Sequence, residues 1–161
     1  MSQIKTNAMR ILDQKKIEYN VITYDTSDGK IDGVSVAEKV HKDPKFLYKT
    51  LVLQGHSKNI YIFVLPVEHE IDLKKAARAA GEKNIEMIPV KDILKFTGYI
   101  RGGCSPIGMK KNYKTFMDKC AYDIYKITVS GGKIGVQMEL LTAKLIEAAN
   151  AEVYDFIMDE K

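Results

Sequence analysis

Apolar residues fall along this chain in short blocks whose period changes repeatedly between helical and extended. Thr6 to Lys16 puts Ala8, Ile11 and Leu12 on one side of a helix, with Thr6 at the N-cap position. Tyr19 to Tyr24, rich in β-branched and aromatic residues, predicts a strand, and the polar stretch Asp25 to Gly33 predicts a loop. Ser35-Val-Ala-Glu38 has the capping-box pattern that opens a short helix. Phe46 to Leu53 and Ile60 to Leu65 are apolar runs separated by Gly55-His-Ser-Lys-Asn59, which predicts a hairpin. Asp72 can cap a helix that passes through Leu73, Ala76, Ala77 and Ala80 and stops at Gly81.

A second short helix, Val90 to Phe96, leads into Gly98. Tyr125 to Ser130 and Ile134 to Leu140 flank Gly131-Gly132 and predict a hairpin turning on that pair. Thr142 to Ala149 closes as a helix, followed by an apolar tail around Val153 and Phe156. Strands outnumber what regular βαβ alternation would give, and hairpins are mixed with helices. The expected fold class is therefore mixed α/β (α+β): a curled mixed sheet with helices packed outside, over residues 1–161 as one domain.

Composition changes this picture little. The chain has 161 residues, 45% hydrophobic and 29% charged, enough for a substantial core. Its longest apolar runs, such as Ile60 to Pro66, are far below membrane-spanning length, and Met1 to Lys5 lacks an apolar leader pattern. Cys104 and Cys120 form neither a disulfide framework nor a Cys-x-x-Cys site, so a cytoplasmic protein is expected. A net charge of +4 is too small to hold nucleic acid unaided at cellular salt.

The candidate chemistry concentrates in Thr97-Gly-Tyr-Ile-Arg-Gly-Gly-Cys-Ser-Pro-Ile-Gly-Met-Lys-Lys111. Gly102 and Gly103 lack a Cβ and allow close approach to a ligand. Ser105, Pro106 and Gly108 tighten the loop, and Lys110 and Lys111 add positive charge beside it. In Leu47-Tyr-Lys-Thr-Leu-Val-Leu53, period-two spacing puts Lys49 on the face of Leu47, Leu51 and Leu53. An ammonium there must find a partner, reach solvent or lower its pKa. Ser130-Gly-Gly-Lys133 offers a second glycine pair beside a hydroxyl and an amine. The bland readings, a strand-edge lysine and a hairpin turn, stand beside these. Tyr24 could equally complete an aromatic core.

Sharper motifs fail. Gly103 to Lys110 lacks the adjacent Gly-Lys-Ser/Thr of a phosphate-binding loop, and Pro106 removes a backbone donor. His41, His56 and His69 sit in unrelated contexts, which argues against a catalytic zinc. Cys104 has no histidine in a recognisable partner motif, and both cysteines read as structural.

Tyr48-Lys-Thr-Leu-Val52, Leu73-Lys-Lys-Ala-Ala77, Gly98 to Lys111 and Val129-Ser-Gly-Gly-Lys-Ile-Gly135 together resemble the YbaK/EbsC family. That family includes free-standing Cys-tRNA(Pro) deacylases and is related to the editing domain inserted in bacterial prolyl-tRNA synthetases. The resemblance runs over nearly the whole chain in order. It departs at Arg101 and Cys104, where many relatives carry apolar residues, and at Ile134, where an arginine is frequent.

The resemblance implies clearance of mischarged tRNA, with no cofactor and no metal. A proline pocket rejects cysteine or alanine poorly, since small apolar differences discriminate by only ~1–3 kcal/mol. The family's essential lysine falls on Lys49, with Thr50 beside it. Its glycine-loop position falls on Gly102, next to Gly103 as a second amide donor for the carbonyl oxygen. Tyr24 and Ser130, with Gly131 and Lys133 alongside, would hold the ribose or amino group. The implied mechanism is attack by the cysteinyl sulfur on its own ester. The implied partners are the 3′ aminoacyl end of mischarged tRNA and prolyl-tRNA synthetase. Deacylation of another small amino acid such as alanine, or a non-catalytic tRNA- or synthetase-binding module, stays open.

Overall fold

Thr6 caps the first helix, as its position predicts: its hydroxyl accepts from the Met9 amide at 3.2 Å in a computed structural model that describes residues 5–159. The first residues of the stretch searched for a leader lie outside that range. This helix, α1 (Asn7–Gln14), buries Ala8, Met9 and Leu12 and is followed by β1 (Asn20–Thr23). The next helix, α2 (Gly33–Lys39), starts earlier than the capping-box pattern indicates. Its cap is Asp32, whose carboxylate accepts from the Ser35 amide at 3.1 Å, so Ser35 lies inside the first turn.

The predicted hairpin is present as β2 (Tyr48–Gly55) and β3 (Ile60–Pro66), antiparallel with Lys49 opposite Leu65. Strand β2 begins only at Tyr48 because Pro44–Phe46 form a 3-10 turn capped by Asp43. Asp72 caps α3 (Leu73–Ala80) by accepting from the Lys74 and Lys75 amides, and Gly81 ends it at φ 71°. Asp72→Ala removes that cap and is expected to cost about 1 kcal/mol. Calorimetry should show this as a fall of roughly 2–4 °C in Tm.

A short strand, β4 (Ile85–Met87), comes next. The helix expected over Val90 to Phe96 is divided into a 3-10 turn, Val90–Asp92, and α4 (Ile93–Thr97), which Gly98 closes at φ 84°. After the glycine-rich loop come β5 (Lys114–Asp118), β6 (Lys126–Lys133), β7 (Val136–Leu141), α5 (Thr142–Ala149) and β8 (Ala151–Tyr154). Two of these strands escape a reading of alternation. Four of the five residues of β5 are buried, leaving no polar face, and β8 is four residues long within the stretch read as a tail.

The β6–β7 turn also differs from expectation. Strand β6 continues past Gly131-Gly132 with a bulge between Ser130 and Lys133, and the reversal occurs at Ile134 and Gly135. The glycine pair instead makes room. A Cβ on Gly131 would lie 2.8 Å from Val136 Cγ1, and one on Gly132 would lie 3.1 Å from Thr6 Cβ and from the Tyr99 ring. The Thr6 hydroxyl donates to the Gly131 carbonyl, tying α1 to the bulge.

The strands form two ladders rather than one curled sheet. The mixed sheet runs β4-β2-β3-β5-β8, with β5 parallel to both neighbours, and the antiparallel sheet runs β1-β7-β6. Among the described residues a single bridge, Leu47 to Thr128, joins them where β2 begins. Between the sheets lies the largest apolar cluster, including Val52, Ile62, Val64, Val129 and Met138. On the far face of the five-stranded sheet Phe63 stacks on Phe116 with centroids 5.0 Å apart, and Phe156 meets Phe63 edge-on at 4.9 Å. Buried Asp118 accepts from the Cys120 and Phe156 amides, both at 3.0 Å, which fixes the segment after β8. No helix among the described residues is long and apolar enough to cross a membrane.

Candidate active site

A cleft of about 640 Å3 opens where the start of β2, the loop before α2 and the glycine-rich loop converge. Five of the residues singled out in the sequence line it: Lys49, Thr50, Tyr24, Gly102 and Ser130. They come from positions far apart in the chain, and the junction of the two sheets brings them together. Gly103, Gly131 and Lys133 do not line it.

Lys49 shares its strand face with Leu51 and Leu53 of the Phe63–Phe116 cluster, as the alternation predicts. Its side chain is half-buried and makes no ion pair or hydrogen bond among the described residues. Burial holds the ammonium below the ordinary lysine range, and the more distant Glu70 opposes that effect. Two hydroxyls beside it, those of Tyr24 and Thr50, are also buried and have no partner among the described residues. Buried polar groups without a partner are uncommon in folded proteins, and here they surround an opening that a ligand could fill.

Gly102 adopts φ 86°, a left-handed conformation that strains any residue with a Cβ. A Cβ there would also approach Ile31 Cδ1 to 2.9 Å. Its amide has no acceptor among the described residues. Gly103 differs: its amide donates to the Ile100 carbonyl at 2.9 Å, so it is not a second free donor for a carbonyl oxygen. It packs instead against backbone: a Cβ there would sit 2.9 Å from the Ile134 nitrogen. Gly131 is buried in the β6 bulge, and Lys133 is exposed. Ser130 Oγ accepts from the Gly132 amide at 3.2 Å and keeps its own proton to donate.

The sequence gives no hint of Lys39, which organises the front of the cleft. Its ammonium donates to the Asp25 carbonyl and Asp28 carboxylate at 2.7 Å each and to the Lys30 carbonyl at 2.8 Å. It also lies 5.8 Å from the centre of the Tyr24 ring. This cation therefore staples the loop that carries Ile31 over Gly102, and it holds Asp28 below the usual carboxylate range. Its partners lie 9 to 14 residues away, beyond any helical spacing.

No activated nucleophile faces this space. Cys104 lines it, but burial pushes its thiol up to about 12, leaving it protonated at neutral pH. No histidine lines the cleft. Among the described residues no group of three His, Cys, Asp or Glu side chains could hold a metal ion.

Residues 32–148 match the family model for the aminoacyl-tRNA editing domain. The chain belongs to this family. As an editing domain it is an enzyme that clears the aminoacyl ester from tRNA. It is 40% identical over 159 residues to EbsC of Enterococcus faecalis (strain ATCC 700802 / V583), described as a candidate Cys-tRNA(Pro)/Cys-tRNA(Cys) deacylase. The match covers 99% of this chain and 97% of that protein. The editing domain is also 22% identical to a proline–tRNA ligase of Burkholderia multivorans (strain ATCC 17616 / 249), covering 79% of this chain and 23% of the ligase. Its fold matches the crystal structure of a candidate trans-editing enzyme for prolyl tRNA synthetase, with a TM-score of 0.82. That match has 19% identity and covers 98% of this chain and all of the other.

Proposed function

We propose that this editing domain acts in trans on mischarged Cys-tRNA(Pro), with Cys-tRNA(Cys) as a second substrate, in the cytoplasm and beside prolyl-tRNA synthetase. The observation that carries this reading is an unpaired, half-buried ammonium, Lys49, in a cleft that offers no activated nucleophile. A substrate with its own thiol needs only positioning and charge stabilisation.

In this mechanism the terminal adenosine enters beside Lys49 and Gly102, and Tyr24, Thr50 and Ser130 hold its hydroxyls and the amino group. The cysteinyl sulfur attacks its own ester carbonyl. A carbon–sulfur bond forms, the carbonyl oxygen gains negative charge, and the Gly102 amide donates to it. Collapse breaks the carbon–oxygen bond to the ribose. The thiol proton ends on the ribose oxygen, and tRNA and a cyclic thiolactone leave.

Purified protein is expected to deacylate Cys-tRNA(Pro), faster when prolyl-tRNA synthetase is present to hold the tRNA. Release of alanine from Ala-tRNA(Pro) at an equal rate would overturn the assignment of cysteine.

The pH profile follows from the lysine. Activity rises as the substrate thiol ionises and falls as Lys49 loses its proton, and burial moves that falling limb below the ordinary lysine range. Lys49→Arg keeps its charge throughout, so whatever activity it retains should lack the falling limb in initial rates corrected for uncatalysed cleavage.

A further inference from the structure

The chain's excess positive charge lies in one segment. Residues 91–114 carry Lys91, Lys95, Arg101, Lys110, Lys111 and Lys114 against a single carboxylate, Asp92. The whole chain has 25 lysines and arginines and 21 carboxylates, so the remainder holds 19 and 20. The small net charge of the molecule therefore hides a basic surface beside an otherwise balanced one.

All six cations are exposed. Of these only Lys114 makes an ion pair among the described residues, with Glu152 at 3.6 Å. Some lysines elsewhere are paired, as in Lys5 with Asp13, Lys42 with Glu139 and Lys75 with Asp159. Within the segment Lys110 folds over Gly98 and its ammonium reaches the Lys95 carbonyl at 3.5 Å, which brings the loop lysine onto the helix that carries Lys95. A surface with this excess of one sign attracts a polyanion. The segment also runs directly into the cleft, since Arg101 lines the opening next to Gly102.

We infer that Lys95, Arg101, Lys110 and Lys111 form the docking surface for the phosphate backbone of the tRNA acceptor stem whose 3′ end enters the cleft. This rests on the tRNA substrate proposed above and adds the surface that receives it. Each lysine that neutralises a phosphate releases counterions, so the surface supplies salt-dependent grip without reading sequence. Arg101 would touch the nucleotides nearest the ester, and Lys95, Lys110 and Lys111 those farther along the stem.

The test measures binding of uncharged tRNA(Pro) by fluorescence anisotropy over about 50–200 mM salt. It compares wild type with Lys95→Gln/Lys110→Gln/Lys111→Gln and with a control, Lys58→Gln/Lys74→Gln/Lys83→Gln, at exposed positions in other elements. The first variant should bind roughly 10–100-fold more weakly near physiological salt, with the slope of log K against log salt reduced by about 2–3. The control should stay within about twofold of wild type.

Both proteins should cleave cysteinyl-adenosine, which has no stem, at the wild-type rate. Equal losses in the two triple variants, or no loss in the first, would overturn the docking surface. So would a variant that loses capture by prolyl-tRNA synthetase while keeping its grip on tRNA, since the patch would then be a protein interface. Binding is read without turnover, so a failure of the proposed deacylase activity would show separately, as no cleavage of Cys-tRNA(Pro) by wild type.

Discussion

Replacing Lys49 with alanine is expected to lower kcat/KM for Cys-tRNA(Pro) by about 100- to 1000-fold, equivalent to roughly 3–4 kcal/mol of transition-state stabilisation. Of the charged side chains that line the cleft, Lys49 is half-buried, whereas Asp32 and Arg101 are exposed. Its effect is large because the site is partly dry, where a charge acts through a lower effective dielectric. The same burial makes the loss diagnostic. An ammonium without an anionic partner is penalised in the folded state at any pH below its lowered pKa, and the penalty fades as pH rises through that value. Removing the charge at neutral pH therefore should not destabilise the fold. Lys49→Met, which keeps the stem, should gain about 1 kcal/mol and raise Tm by roughly 2–4 °C. Calorimetry alongside the deacylation assay checks both halves. A variant that is inactive but at least as stable as wild type marks a residue kept for chemistry.

Gly103→Val is expected to lower activity by about 100-fold and stability by roughly 1–3 kcal/mol. The glycine-rich loop approaches the β6–β7 turn so closely at this point that a Cβ would lie 3.1 Å from both the Lys133 Cα and carbonyl carbon. Backbone cannot swing aside as a side chain can, so the loop must lift. The neighbouring Gly102 amide moves with it, and a shift of about 1 Å in a positioning group costs on the order of a hundredfold. Gly81→Ala is the matching control, outside the cleft. It also has a positive φ, 71°, but nothing lies within 4 Å of its Cβ position. It should therefore pay only the local strain of about 1–2 kcal/mol and keep its activity within a few-fold. Thermal melts and initial rates for the two variants separate close packing from backbone strain.

These two residues show how far the sequence could be read. Lys49 was visible because strand alternation is local: a charged residue in register with Leu51 and Leu53 is anomalous without any tertiary knowledge. Asp72 and Gly81 marked α3 for the same reason, since caps act within one turn. Gly103 and Gly131-Gly132 stand out as glycines, but what packs against them is not legible in the sequence. Whether a missing Cβ admits a ligand or a neighbouring strand depends on what packs there, and Ile134, Thr6 and Tyr99 are remote in sequence. The parallel strands β5 and β8 were hidden because buried strands lack a polar face and pair with partners far along the chain. Lys39 was hidden because its three acceptors belong to an irregular loop.

The most direct test loads the same tRNA(Pro) with cysteine or with serine and follows single-turnover release by excess protein. The two esters differ by one atom, sulfur against oxygen, at the position that would attack. Rapid cleavage of the cysteinyl ester, with the seryl ester left near its spontaneous rate, is the outcome that a guest-supplied thiol requires. Comparable cleavage of both would mean that water or a group on the protein performs the attack, and the role given to the cleft would be wrong.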